Sequence, residues 1–229
     1  MENREAIITS DEEACARVAA RFPQRWLRHY AASKLRSDPV FRTAFALLRE
    51  NPEPLLDVGC GVGLLPFYLR ERGLRQEITG FDLDARKVAT ATQVAAQHYS
   101  GVTFSARDAG EGALTFCGNV AMFDVLHYLE PERQATLLAQ LARCVAPGGM
   151  LLLRDSPRER SRRYWCTYAG EIFAQAVSWN LGMPLRFPTR ESITGAFPPG
   201  EFMHEEQPTW GNTPFNNRLF IFRRRGAGE

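Results

Sequence analysis

Leu55 to Leu69 reads L-L-D-V-G-C-G-V-G-L-L-P-F-Y-L. An apolar run, an acid, three alternating glycines and a second apolar run follow one another. This order predicts a buried strand, Leu55 to Val58, turning into a helix, Leu64 to Arg72, with Gly73 as the stop. Glycines at such a turn let backbone approach a ligand closely. A dinucleotide fingerprint is G-x-G-x-x-G, whose third glycine would fall here at Leu64 or Pro66. A nucleoside-triphosphate loop needs a lysine after its glycines, and none follows. Both phosphate-binding readings fail. What remains is acid-x-G-x-G-x-G, carried by Asp57, Gly59, Gly61 and Gly63, which suits close approach to an uncharged ribose and an amino-acid tail.

Outward from this loop, strands and helices alternate. Glu77 to Phe81 is a second strand, and Asp84 caps a helix to about His98. Val102 to Ser105 and Val120 to Phe123 are further strands. Pro131 opens a helix through Val145, closed by Pro147-Gly148-Gly149, and Met150 to Leu153 is a fifth strand. The alternation predicts a parallel sheet with helices on both faces, an α/β doubly wound fold. Before it, residues 11–36 read as helical with a break at Pro23. Asp38-Pro39 starts another helix to about Glu50, with Asp38 as cap. After it, residues 157–181 read as one long helix with an aromatic stripe, Trp165, Tyr168, Ile172, Ala176 and Trp179. A proline-rich stretch, 184–199, leads to two strands, 201–206 and 218–223, expected to pair antiparallel. Four regions result: N-terminal helices over the site (1–50), a cofactor-binding core (51–156), a helical acceptor-side insertion (157–200) and C-terminal strands completing the sheet (201–229).

The chain of 229 residues is long enough for one substantial core. A net charge of +2 is too small for bulk nucleic-acid binding, and no apolar run approaches membrane-span length. Cys15, Cys60, Cys117, Cys144 and Cys166 contain no C-x-x-C pair. Reduced thiols and a cytoplasmic location are expected, rather than disulfides or a zinc site.

The acids after the loop extend the argument. Asp82 closes the second strand, where a carboxylate accepts ribose hydroxyls. Asp108 follows the third strand, in place to accept from an adenine amino group. All three acids fall at carboxyl ends of strands, the ligand side of an open parallel sheet.

With these residues in view, the chain resembles the class I S-adenosylmethionine-dependent methyltransferases. The resemblance rests on L-L-D-V-G-C-G-V-G (55–63), G-F-D-L-D (80–84), A-R-D-A (106–109), F-D-V-L-H-Y-L (123–129) and A-P-G-G-M-L-L-L-R-D (146–155). It implies a Rossmann-like, mostly parallel seven-stranded sheet with an antiparallel C-terminal hairpin, and S-adenosylmethionine as cofactor. It further implies that Asp57 anchors the loop, Asp82 holds the ribose, Asp108 lies by the adenine, and Phe123 and Asp124 line the methionine end. Cys60, Leu83 and Ala109 flank these positions and are expected along the same cofactor path. A narrower resemblance, on residues 25–39, 154–156, 187–191 and 213–217, is to small methyltransferases of bacterial aryl polyene and xanthomonadin-type pigment clusters. It implies a small phenolic or aryl acceptor, free or on an acyl carrier protein, with no nucleic-acid partner.

The acceptor side carries several open readings. His127 is the candidate general base, since an ordinary imidazole titrates near neutrality, with packing as the competing role. Tyr128 and Asp155 are further catalytic candidates, and Arg154 with Asp155 reads as an ion pair or an acceptor contact. Tyr30 and Lys34, one helical turn apart, would reach the cofactor carboxylate if that helix folds over the site. The aromatic stripe reads first as core, then as pocket. Arg158, Arg160, Arg162 and Arg163 read as a solvated face or a surface for an acidic carrier. No metal site is expected. Phe123-Asp124-Val125-Leu126 departs from the N-P-P-Y of enzymes that methylate amides or exocyclic amines. A S-adenosylmethionine-binding sensor or scaffold without turnover is the alternative to an enzyme.

Overall fold

The computed structural model describes residues 9–176 and 184–226. Trp179, the expected end of the long helix and both chain termini lie outside them. The chain divides into two compact units after Arg107. The seven described strands form one sheet, in the order 102–106, 78–82, 55–58, 119–123, 150–155, 218–224 and 202–208.

In the first unit, α1 (Asp11–Arg21) starts at Ser10, whose Oγ accepts the Glu13 N–H at 3.3 Å. Its first turn is acidic, which suits the positive end of a helix dipole. The chain leaves helical geometry around Pro23 and resumes as α2 (Arg25–Ser37). Asp38 Oδ1 then accepts the Val40 N–H at 3.1 Å and leads into α3 (Val40–Leu48), as the Asp-Pro pair implied. Asp11 fastens this end: it accepts from the Tyr68 hydroxyl and pairs with Arg42 at 3.0 Å and Arg72 at 3.3 Å.

Strand β1 (Leu55–Val58) is buried at all four positions. It feeds α4 (Leu64–Glu71), itself almost wholly buried. Phe67 stacks on Tyr99 at 4.7 Å and meets Phe104 edge-on at 5.6 Å. β2 (Ile78–Asp82) pairs in parallel with β1 and with β3 (Val102–Ala106). Between them runs α5 (Ala85–His98), capped by Asp84, which accepts the Arg86 N–H.

In the second unit, β4 (Asn119–Phe123) pairs in parallel with β5 (Met150–Asp155). A short 3-10 helix, Leu126–Tyr128, and α6 (Pro131–Cys144) connect them. All six residues of β5 are buried. Antiparallel β7 (Arg218–Arg224) lies beside β5, and β6 (Phe202–Pro208) beside β7. The expected terminal hairpin is therefore present.

Two expectations change here. The helix predicted from 157 begins at Arg162 as α7 (Arg162–Ala176), because Ser161 Oγ accepts the Tyr164 N–H and starts it there. Residues 157–158 are tethers instead: the Pro157 carbonyl accepts from Asn216 Nδ2, and the Arg158 N–H donates to the Pro188 carbonyl. Within α7 the stripe does not form core. Trp165 and Ile172 are 62% and 48% exposed, and Tyr168 is 36% exposed. The inward face is Tyr164, Thr167 and Glu171, one residue out of phase with the stripe. A one-residue offset turns a helix face by roughly 100°. The proline-rich stretch also holds an unforeseen helix, α8 (Arg190–Thr194), set by a reciprocal Thr189–Ser192 capping box.

Candidate functional site

The β1–α4 turn shows why its three glycines differ. Gly59, Gly61 and Gly63 have φ of 75°, 55° and 83°, left-handed values that other residues reach only with strain. A Cβ on Gly63 would stand 2.8–2.9 Å from the rings of Phe67 and Phe104. That glycine serves the packing of α4. A Cβ on Gly61 would have nothing within 4 Å. That glycine borders open space, as a ligand-facing turn requires. Cys60 is buried against Gly80 of β2, and burial pushes its thiol well above the ordinary range.

The turn is tied to β2. The Gly59 and Cys60 N–H groups donate to the Phe81 carbonyl at 2.8 and 3.0 Å. Asp82 accepts the Gly61 N–H at Oδ2 (2.9 Å) and the Asp84 N–H at Oδ1 (2.8 Å). Its carboxylate is thus oriented before any ligand arrives, with lone pairs left for a diol. The next residue, Leu83, is 46% exposed and offers an apolar surface beside it. Asp57 lies under the turn, almost fully buried. Burial first, then the nearby Asp82 charge, push its carboxyl up to about 8, so it is mostly protonated at neutral pH. These features fit an uncharged ribose with a flat ring beside it. S-adenosylmethionine would be held here by Asp82, the Gly61 backbone and Leu83.

The remaining expected cofactor residues have partners of their own. Lys34 stands 2.9 Å from Asp38 on α2, with Tyr30 one turn earlier and half-buried. Asp108 accepts the Gly110 N–H at 2.8 Å and pairs with Arg133 at 2.9 Å. An adenine amino group would have to share these oxygens. Ala109 is half-buried beside it. Phe123 lies under the Arg154 guanidinium at 5.5 Å.

In the second unit a polar cluster gathers at the ends of β4 and β5. Asp124, the one described non-glycine residue with positive φ (58°), is gripped by Arg154 at both carboxylate oxygens. Arg154 is buried and its ion pair is with Asp124, whereas the sequence had set it beside Asp155. Asp155, fully buried, faces His127: Nδ1 to Oδ1 is 2.9 Å, and the His127 N–H donates to Oδ2 at 3.3 Å. Phe187 stacks on the imidazole at 5.0 Å, and Tyr128 lies at 4.2 Å on its flank. Tyr164 meets Phe187 edge-on at 5.4 Å.

Of the two roles open to His127, this buried environment fits packing better than a general base titrating near neutrality. Burial alone would lower His127, but the charge and hydrogen bond of Asp155, helped by Glu171 and Asp124, raise it to about 9. At neutral pH it is an imidazolium, 2% exposed. It is a fixed cation rather than a free base.

Sequence reasoning missed Glu171. Its Oε2 accepts the Tyr128 hydroxyl at 2.6 Å and lies 3.9 Å from His127 Nε2. One signal was available: Glu171 is the one acid in α7, set among aromatic and apolar residues. Phe187 stood only in the stretch 187–191 of the narrower resemblance, and Arg133 had no such signal, since its contact is remote in sequence. Among the described residues, no group of three or more His, Cys, Asp or Glu is arranged to hold a metal ion. No described helix is long and apolar enough to cross a membrane.

Comparison with known proteins meets this geometry. Residues 55–149 match the family model described as a methyltransferase domain. No curated protein matches the chain in sequence. The magnesium protoporphyrin IX methyltransferase ChlM of Synechocystis PCC 6803, solved with bound S-adenosylhomocysteine, is 17% identical. It superposes with a TM-score of 0.61 over 94% of this chain and 88% of its own. An O-methyltransferase family protein from Burkholderia thailandensis is 18% identical, with a TM-score of 0.61 over 92% of this chain and 63% of its own. A protein solved for the conversion of a disulfide bond into a thioacetal group during echinomycin biosynthesis is 21% identical. Its TM-score is 0.57 over 82% of each chain. At these identities the structural likeness carries the fold, and the family match over the glycine loop carries the activity. Residues 55–149 are a methyltransferase domain, and the chain is a methyltransferase that uses S-adenosylmethionine.

Proposed function

We propose that the acceptor is a small aromatic molecule bearing a hydroxyl, methylated in secondary metabolism in the cytoplasm. The observation that carries this reading is the second unit's cluster: the half-buried Glu171 and Tyr128 beside the rings of Phe187 and Tyr164. Rings favour a flat apolar acceptor body, and a carboxylate next to a phenol favours a hydroxyl on it. ChlM is named for magnesium protoporphyrin IX and the echinomycin protein for a biosynthetic step. Both names are in keeping with a small-molecule acceptor. An aryl acid of an aryl polyene or xanthomonadin-type pigment, free or on an acyl carrier protein, is the acceptor that the narrower resemblance favours. Exposed Arg158, Arg160 and Arg162 would suit an acidic carrier, whereas Arg163 is engaged over the Trp210 ring at 4.3 Å.

When bound, S-adenosylmethionine supplies a methyl on a positively charged sulfur that is already a good leaving group. The chain's work is then to hold the acceptor oxygen in line with that methyl, exclude water and dispose of one proton. Asp57, Gly59, Cys60, Gly61, Gly63, Asp82 and Leu83 would hold the cofactor. Asp108, Ala109, Phe123, Asp124, Tyr30 and Lys34 would complete its surroundings.

Calorimetric titration with S-adenosylhomocysteine, with NAD as control, tests the cofactor side. Micromolar affinity, about −8 kcal/mol, is expected for the wild type and not for Asp82→Ala. Turnover on free and carrier-bound phenolic acids tests the acceptor side. Activity on RNA or protein alone would overturn the acceptor class.

A further inference from the structure

His127 and Asp155 form a close pair, yet neither meets solvent. The imidazole is sealed by Phe187 and Tyr128, and its Nε2 is buried with no hydrogen-bond partner. The way out of the cluster is Glu171, whose side chain is 24% exposed. Its two oxygens are unequal. Oε2 accepts the Tyr128 hydroxyl and faces His127 Nε2. Oε1 accepts no hydrogen bond among the described residues.

We propose that Glu171 is the acceptor-side base: Oε1 takes the hydroxyl proton of a phenol-class acceptor, while Tyr128 and His127 hold Oε2 in place. The inference rests on the hydroxyl-acceptor reading above. As the acceptor oxygen forms its bond to the methyl, the methyl–sulfur bond breaks and its electron pair stays on sulfur. The oxygen's proton passes to Oε1 and then, through the exposed side of Glu171, to water. His127 is a positioning residue in this scheme and does not touch the acceptor.

The groups around Glu171 suit the role. Tyr128 and His127 face it from the 3-10 helix, with Asp155 of β5 and Asp124 at the end of β4 behind the imidazole. Asp155 and Asp124 offset the imidazolium charge.

The test compares wild type with Glu171→Gln, which keeps the shape and an oxygen for Tyr128 but cannot take a proton. Both are assayed on para-cresol and para-nitrophenol, with S-adenosylhomocysteine affinity measured alongside. The expected result is unchanged affinity and a kcat on para-cresol about 100-fold lower or more. The loss should shrink on para-nitrophenol, which ionises unaided near neutral pH, and shrink for para-cresol as pH rises. Equal loss on both phenols, or none, would overturn the role of Glu171 and leave the acceptor class standing. A wild type that binds S-adenosylhomocysteine but methylates neither phenol would overturn both.

Discussion

In the first unit the groups bordering the open side of the glycine turn are mostly backbone. Gly61 borders open space, its N–H orients Asp82, and both lie in two short stretches, 57–63 and 80–84. In the second unit the polar cluster is built of side chains drawn from residues 124, 127, 128, 154, 155, 171 and 187. A methyl donor is one molecule, and one turn of chain can be shaped to it. Acceptors vary, and side chains on separate elements can be exchanged without disturbing the turn. The first design resists substitution at its glycines; the second depends on paired charges kept from water.

The sharpest way to break this contrast is Asp155→Ala, which strands the imidazolium of His127 in a dry site. A loss of about 3–5 kcal/mol is expected by urea unfolding, with a glycine loop that still binds S-adenosylhomocysteine in the folded fraction. Next comes Gly63→Ala, where left-handed strain adds to a collision with Phe67 and Phe104; about 2–4 kcal/mol should be lost. Gly61→Ala carries the strain without the collision, so about 1–2 kcal/mol is expected. Calorimetry should nevertheless find its cofactor affinity reduced, because the added methyl enters the open space. If Gly61→Ala costs as much stability as Gly63→Ala, the two glycines do not have the separate tasks assigned to them.

Titration gives the most gradual effect, at most about 1.4 kcal/mol per pH unit for each group. His127 is raised from 6.5 to about 9 in the folded chain, so its contribution is complete below 6.5 and is lost as pH rises through 9. Asp57 is raised from 3.8 to about 8: the unfolded chain ionises it first, and folding loses ground as pH climbs from about 4 to 8. Thermal unfolding of the ligand-free protein should therefore weaken steadily from acid to alkaline pH. Asp57→Asn should flatten the lower part of that slope and His127→Gln the upper part. A profile unchanged in both variants would refute the charge states assigned to the two regions.

The sequence was readable where structure is local. A buried strand, a glycine turn and a helix need only neighbouring residues, so Leu55–Glu71, Asp84 as a cap and Pro131 as a helix start could be read by eye. The helix at 157–181 was read too early at its start because hydrophobic spacing does not show where Ser161 ends the tether. Its buried face was assigned to the wrong stripe for a related reason. Spacing says that residues share a face, but only packing against Phe187 and Phe215 decides which face turns inward.

By itself the amino-acid order determined the α/β class, the glycine loop and the acids that follow it, because backbone geometry and strand ends are set by short-range sterics. Tertiary structure alone decided the rest. It put His127 between Asp155 and Glu171, made it a cation, and left Glu171 as the exposed end of the cluster. The physical reason is that charge state and access depend on burial and on neighbours dozens of residues away. No window of sequence contains either.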